Sequence, residues 1–186
     1  MAAPKESYQS RLILDSGKLA GSCFDRSVVL ICRHNESGSF GLVLSRPLKQ
    51  TLGASVNAPL EEDLAKAPLH LGGPVQPEFL SYLLETEVQP EFEILPWLRL
   101  GHSLDELRQQ FASHEKNMRL RVFAGYAGWA AGQLESEMKS GCWITLASSI
   151  SRVFYPHPEN LWRHLLCEMG GIFRILAQCP DNPALN

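Results

Sequence analysis

Ser27-Val28-Val29-Leu30-Ile31-Cys32, followed by Asn35-Glu36-Ser37-Gly38 and then Phe40-Gly41-Leu42-Val43-Leu44, is the stretch on which the fold turns. Its first run is apolar at every position after Ser27 and rich in β-branched residues. That is the composition of a strand covered on both faces, not of one with a wet side. The four residues after Arg33-His34 are turn formers. The second run is again apolar and stops at Pro47, which cannot donate to a ladder. Two strands joined by so short a connection run antiparallel, so the stretch predicts a buried β-hairpin.

Working outward, Leu12–Leu14 predicts a first strand, and the glycine-bearing segment from Asp15 to Phe24 predicts a loop. Downstream, a short helix is expected over Thr51–Val56. Polar, proline-bounded chain with at most a turn of helix follows over Asn57–Pro68. A brief strand, Leu69–Leu71, stops at Gly72-Gly73-Pro74. Further strands are expected at Phe79–Leu84 and Phe92–Leu100, the second interrupted by Pro96 as suits an edge strand or bulge. Ser103-Leu104-Asp105-Glu106 has capping-box form and opens a helix ending near Ser113. Leu120, Val122 and Ala124 alternate with Arg119, Arg121 and Phe123 and predict a strand, after which Gly125–Gly132 reads as a glycine-rich loop. Gln133–Lys139 is expected to be helical with Gly141 as its stop, and Trp143–Ala147 to be a strand. Pro158 begins a last helix with the stripe Leu161, Trp162, Leu165, Leu166 and Met169, closed by Gly170-Gly171. This order predicts one α+β domain over residues 1–186. Its sheet would be mixed and largely antiparallel, with the hairpin central and helices packed on its faces in a three-layer arrangement. Residues 1–9 and 175–186 are expected to be frayed or irregular ends.

The chain has 186 residues, 17 Lys and Arg against 20 Asp and Glu, and a net charge of −3. The arginines are scattered, with no basic stripe, so direct DNA binding is not expected. Five cysteines, an odd number without Cys-x-x-Cys spacing, fit a reducing compartment. Cys32 and Cys167 sit in apolar runs and read as small buried hydrophobes. Met1–Ser10 has no apolar signal-peptide core, and no run of 18 apolar residues occurs. The expectation is a cytoplasmic chain with no membrane span. Self-association is left open.

Three blocks carry a family resemblance. The first runs from Phe24 through Asp25-Arg26-Ser27 to Asn35, with Gly38 and then Gly41-Leu42-Val43-Leu44-Ser45-Arg46-Pro47. The second is Gly72-Gly73-Pro74-Val75. The third is Gly125-Tyr126-Ala127-Gly128-Trp129 with Gly132-Gln133-Leu134-Glu135. With Trp143 and Leu161-Trp162 also matching, the chain from about Arg11 to Gly171 closely resembles the YqgE/AlgH family. One departure is Ser45, where that family commonly has asparagine before the Lys/Arg-Pro pair. The resemblance implies an α+β fold with a large mixed sheet. Some members carry a regulator label, and no reaction, cofactor or catalytic residue comes with it.

Candidate chemistry is sparse. Gly125 and Gly128, between a strand and a helix start, offer a possible anion cradle, although the spacing is neither a dinucleotide fingerprint nor a P-loop. The competing reading is a tight turn that lets Tyr126 and Trp129 pack. Arg26, Ser27, Ser45 and Arg46 near the open end of the hairpin, with His34 and Asn35 near its turn, form a polar rim. Two arginines there could clamp a phosphate or carboxylate, or hold loop carbonyls. Gly72 and Gly73 permit close backbone approach to a ligand, or simply end a strand. His157 and His164, with no further ligand at metal spacing, carry no metal expectation. Glu135 and Glu137 point to different helix faces and read as solvated. No cofactor or catalytic residue is assigned. The leading expectation is a non-enzymatic binding or regulatory protein with a protein partner. The alternative is a binder or converter of a nucleotide or phosphorylated small molecule, using the glycine turns with Arg26 and Arg46.

Overall fold

The computed structural model of the chain describes residues 7–86, 93–113 and 119–180. Strand β1 (Arg11–Asp15) is followed by the expected hairpin, β2 (Val28–Asn35) and β3 (Gly38–Val43). Then come β4 (Pro47–Thr51), the short helices α1 (Leu52–Ser55) and α2 (Glu62–Ala65), and β5 (Pro68–Leu71). These lead to β6 (Val75–Glu85), β7 (Glu93–Leu95), β8 (Leu98–Gly101) and α3 (Leu104–Ser113). The C-terminal part holds β9 (Leu120–Ala130), α4 (Gln133–Lys139), β10 (Trp143–Ala147), α5 (Ile150–Val153), α6 (Leu161–Met169) and α7 (Gly171–Gln178).

The strands form one open sheet in the order β10-β1-β2-β3-β9-β6-β8-β7, with β4 and β5 joined to it where β5 runs along β9. Among the described residues every pairing is antiparallel except that of β5 with β9. The hairpin is central, and its strands are buried on both faces, as their composition requires. Leu12, Leu14 and Leu30 pack into one cluster with Val153 of α5, Leu161, Leu165 and Leu166 of α6 and Ala177 of α7. Their neighbours Ile13, Val29 and Ile31 point the other way, onto Leu134 of α4 with Trp129 and Trp143. A third cluster joins Leu52, Leu64 and Leu107 of α1, α2 and α3 to Leu69, Tyr82 and Val122. Period-2 alternation with both sets buried thus gives helices on both faces. Each such fully covered aliphatic side chain contributes about 1.5–3 kcal/mol.

Several local expectations need correction. Gly125–Gly132 is not a loop: β9 continues through Gly125 to Ala130, pairing Gly41↔Ala127 and Gly38↔Ala130 with β3. Gly125 bends the strand at φ 70° instead of ending it. The expected strand Phe92–Leu100 is a tight hairpin, β7 and β8, folded at Pro96-Trp97, with Trp97 in the left-handed region at φ 68°. Phe92 itself lies outside the described residues. Gly170-Gly171 does close α6, but α7 follows and extends helix through Gln178, into the segment expected to be irregular. Phe173, Leu176 and Ala177 on one side of α7 pack against the sheet cluster, which is what orders it. Residues 1–6 and 181–186 lie outside the described residues. Cys167 is exposed on α6, whereas Cys32 is buried as expected. No helix among the described residues is long and apolar enough to cross a membrane.

Candidate functional site

The glycine blocks meet each other. A Cβ on Gly72 would stand 2.2 Å from the Gly125 carbonyl oxygen, and one on Gly73 would stand 2.2 Å from the Tyr126 carbonyl carbon. Backbone crosses backbone where β5 exits and β9 bends, so Gly72, Gly73 and Gly125 give up their side chains to this approach.

The arginine pair sits elsewhere. Arg26, Arg46 and Ser45 line a recess of about 360 Å³ with Ser22, Asp25 and Glu159, two charges of each sign. Arg46 Nη2 donates to the Asp25 carbonyl at 2.5 Å and to Ser27 Oγ at 3.4 Å. Ser45 Oγ accepts from the Val28 N–H at 3.0 Å. Arg26 Nη2 donates to the carbonyls of Cys179 and Pro180, and its guanidinium lies over the Trp162 ring at 5.4 Å. The Arg26 N–H donates to Asp15 Oδ2 at 2.8 Å, and Asp15 Oδ1 accepts from Gly17 and Leu19. Fully buried Asp15 therefore organises the loop from Ser16 to Arg26, a role no motif announces. Arg26 is thus engaged with backbone at the end of the C-terminal helix, and Arg46 with backbone of the loop that leads into β2. His34, at the other end of the hairpin, accepts from the Tyr8 N–H through Nδ1 and faces Glu135 across 3.6 Å. Glu137 is not simply solvated: its Oε2 accepts from the indoles of Trp129 at 2.8 Å and Trp143 at 2.7 Å.

Asn35 and Gly128 border a different feature, an open groove of about 1180 Å³ that also takes in Arg33, Phe40, Gln76, Phe79, His102 and Tyr126. Four rings form a continuous platform. Phe40 lies 5.0 Å from Tyr126, Tyr126 5.7 Å from Phe79, Phe79 5.1 Å from His102, and His102 5.8 Å from Phe40. These spacings are those of rings touching one another, with the Phe40–Tyr126 and Phe79–His102 pairs tilted at 32° and 39° and the two pairs edge-on to each other at 72° and 89°.

Three irregularities build this platform. The β2–β3 register slips at Cys32, so Arg33 stands opposite Phe40 and both line the groove. The β6–β9 register jumps between Val75 and Leu80, with Gln76 at φ 45°, and that bulge delivers Gln76 and Phe79. The Gly125 bend delivers Tyr126. Simple alternation cannot reveal such a site, because each bulge changes which residues share a face.

His102 Nδ1 lies 3.0 Å from Ser81 Oγ. Partial desolvation, then the nearby positive charge of Arg33, holds its pKa below the ordinary value, so the ring is neutral at pH 7. Burial pushes the Cys32 thiol far above the normal thiol range, which makes it unfit as a nucleophile at neutral pH. Arg33 is exposed and, among the described residues that line the groove, is the one formal charge; the carboxylate of Glu106 acts on His102 from outside that lining. Among the described residues, no group of three or more His, Cys, Asp or Glu is placed to hold a metal ion.

A family model described as AlgH-like matches residues 12–174. A UPF0301 protein of Chlorobium phaeobacteroides is 37% identical, over 97% of each chain. The solution structure of the AlgH protein from Pseudomonas aeruginosa superposes with a TM-score of 0.74 at 24% identity, over 97% of each chain. A crystal structure of a Corynebacterium diphtheriae protein gives 0.76 at 20% identity, over 94% of each. At those identities the two structures speak to the fold alone.

Proposed function

Because this chain belongs to the AlgH-like family, we propose that it is a cytoplasmic recognition protein of regulatory type, acting by binding and not by reaction, with the aromatic groove as its binding surface. The observation that carries this reading is the convergence of two register slips and one glycine bend on a single four-ring platform. Bulges cost ladder hydrogen bonds and recur where a side chain must be aimed at a ligand. The recess holding Arg26 and Arg46 is the weaker candidate, since both guanidinium groups already hold carbonyls and carboxyl side chains stand beside them. Duplex DNA is not the proposed partner, because a groove lined by one cation releases few counterions.

The test is site-directed but ligand-neutral. Isotope-labelled full-length protein is screened by NMR against a fragment library of flat, weakly polar compounds. Resonances of Phe40, Phe79, His102 and Tyr126 are expected to move together, and Phe79→Leu to abolish the response. A library that leaves these four residues still, or that perturbs only the Arg26/Arg46 recess, refutes the assignment of the site.

A further inference from the structure

Resting on that reading of the groove, we propose that its ligand is a mononucleotide: a planar heteroaromatic base on the Phe40–Phe79–His102–Tyr126 platform, with a single phosphate group at Arg33. Three properties of the lining lead there. The rings make two tilted pairs, Phe40 with Tyr126 at 32° and Phe79 with His102 at 39°, which stand edge-on to each other at 72° and 89°. A base that stacks on the faces of one pair meets the ring edges of the other, and base–aromatic stacking is worth about 1–3 kcal/mol per base. Around that surface stand the carboxamides of Gln9, Asn35 and Gln76. Side-chain amides offer a donor and an acceptor together, as the hydrogen-bonding edge of a base requires and a simple aromatic acid does not. The asparagine is already partly used, since Asn35 Oδ1 accepts from the Ser37 N–H at 2.9 Å, which leaves its NH2 group for a ligand.

The charge pattern sets the rest. In a chain with more acidic than basic residues, the described residues that line this groove carry one guanidinium and no carboxylate. A guanidinium binds phosphate through paired N–H donors. Arg33 is the cross-strand partner of Phe40, so the anion site borders the stacking platform directly. A single cation matches one phosphate group. A triphosphate or a polynucleotide would bring several charges with nothing to meet them. At about 1180 Å³ the groove is large for a lone ring and accommodates base, sugar and phosphate side by side.

The experiment titrates labelled full-length protein with adenosine, guanosine, cytidine and uridine monophosphates, with the free nucleosides, with ribose 5-phosphate, with inorganic phosphate and with a five-residue single-stranded oligonucleotide. At least one nucleoside monophosphate is expected to bind and to shift Arg33, Phe40, Phe79 and Tyr126, while ribose 5-phosphate and phosphate alone leave them unmoved. Arg33→Gln, a change at an exposed position that leaves the fold intact, is expected to weaken the monophosphate about ten-fold and the nucleoside hardly at all. Phe79→Leu is expected to weaken both. Silence from every nucleotide, binding that ignores Arg33→Gln, or an oligonucleotide binding a hundred-fold tighter than the monophosphate each overturns the inference. If the nucleotides are silent while the fragment library still finds the four rings, only the ligand class falls. If the fragments are silent too, the reading of the groove falls with it.

Discussion

His70 offers the sharpest test of the packing around β5. It is 4% exposed, pairs with Phe123 across the parallel ladder and lies 5.5 Å from that ring. Desolvation, and secondarily the positive charge of buried Arg121, lower its pKa from 6.5 to about 4. A histidine so depressed stays neutral in the folded protein while the unfolded chain takes up a proton. Stability is therefore complete above pH 6.5 and drains as pH falls toward 4. At about 1.36 kcal/mol per unit, the loss amounts to about 1 kcal/mol at pH 6, 2 at pH 5 and 3 at pH 4. His70→Leu removes the titration while keeping an apolar side chain in the site. Urea unfolding of both proteins from pH 7 to pH 4 isolates the effect, because carboxylate contributions cancel in the difference. The wild type is expected to lose about 3 kcal/mol more than the variant. A difference that stays flat with pH, or a His70 NMR signal that titrates near 6.5, refutes the burial argument.

Two other substitutions probe contacts that local reading overlooked. Glu137→Ala leaves the Trp129 and Trp143 indole N–H groups without their shared acceptor, with an expected cost of about 2–3 kcal/mol in urea unfolding and a shift in tryptophan emission; unchanged stability and emission would show that the two indoles do not depend on it. Gly72→Ala drives a methyl to 2.2 Å from the Gly125 carbonyl, where only backbone can yield, and is expected to cost more than about 3 kcal/mol in the same assay; a variant as stable as the parent would mean that the strands do not cross so closely.

The central hairpin was legible because its evidence is local. Val28–Ile31 and Leu42–Leu44 are apolar on both faces, Asn35–Gly38 is turn chemistry, and one short connection leaves one orientation. The Ser103 cap of α3 was legible for the same reason, and its Oγ accepts from the Glu106 N–H at 3.3 Å. Gly125–Ala130 was not, since turn statistics count glycines but cannot see that β3 and β6 supply partners on either side. Asp15 was missed because its three N–H donors come from a loop whose path is set by tertiary contacts.

Composition and periodicity alone thus determined a mixed sheet around a buried ribbon, because burial on both faces writes itself into consecutive residues. Only the tertiary structure decided which polar and aromatic groups share a surface. It parted Arg26 and Arg46 from the glycine blocks, and it brought Arg33 beside Phe40, Phe79, His102 and Tyr126. The physical reason is register. A one-residue slip at Cys32 costs little locally, yet it turns the following residue to the other face of the sheet, and no local pattern records on which strand that slip will fall.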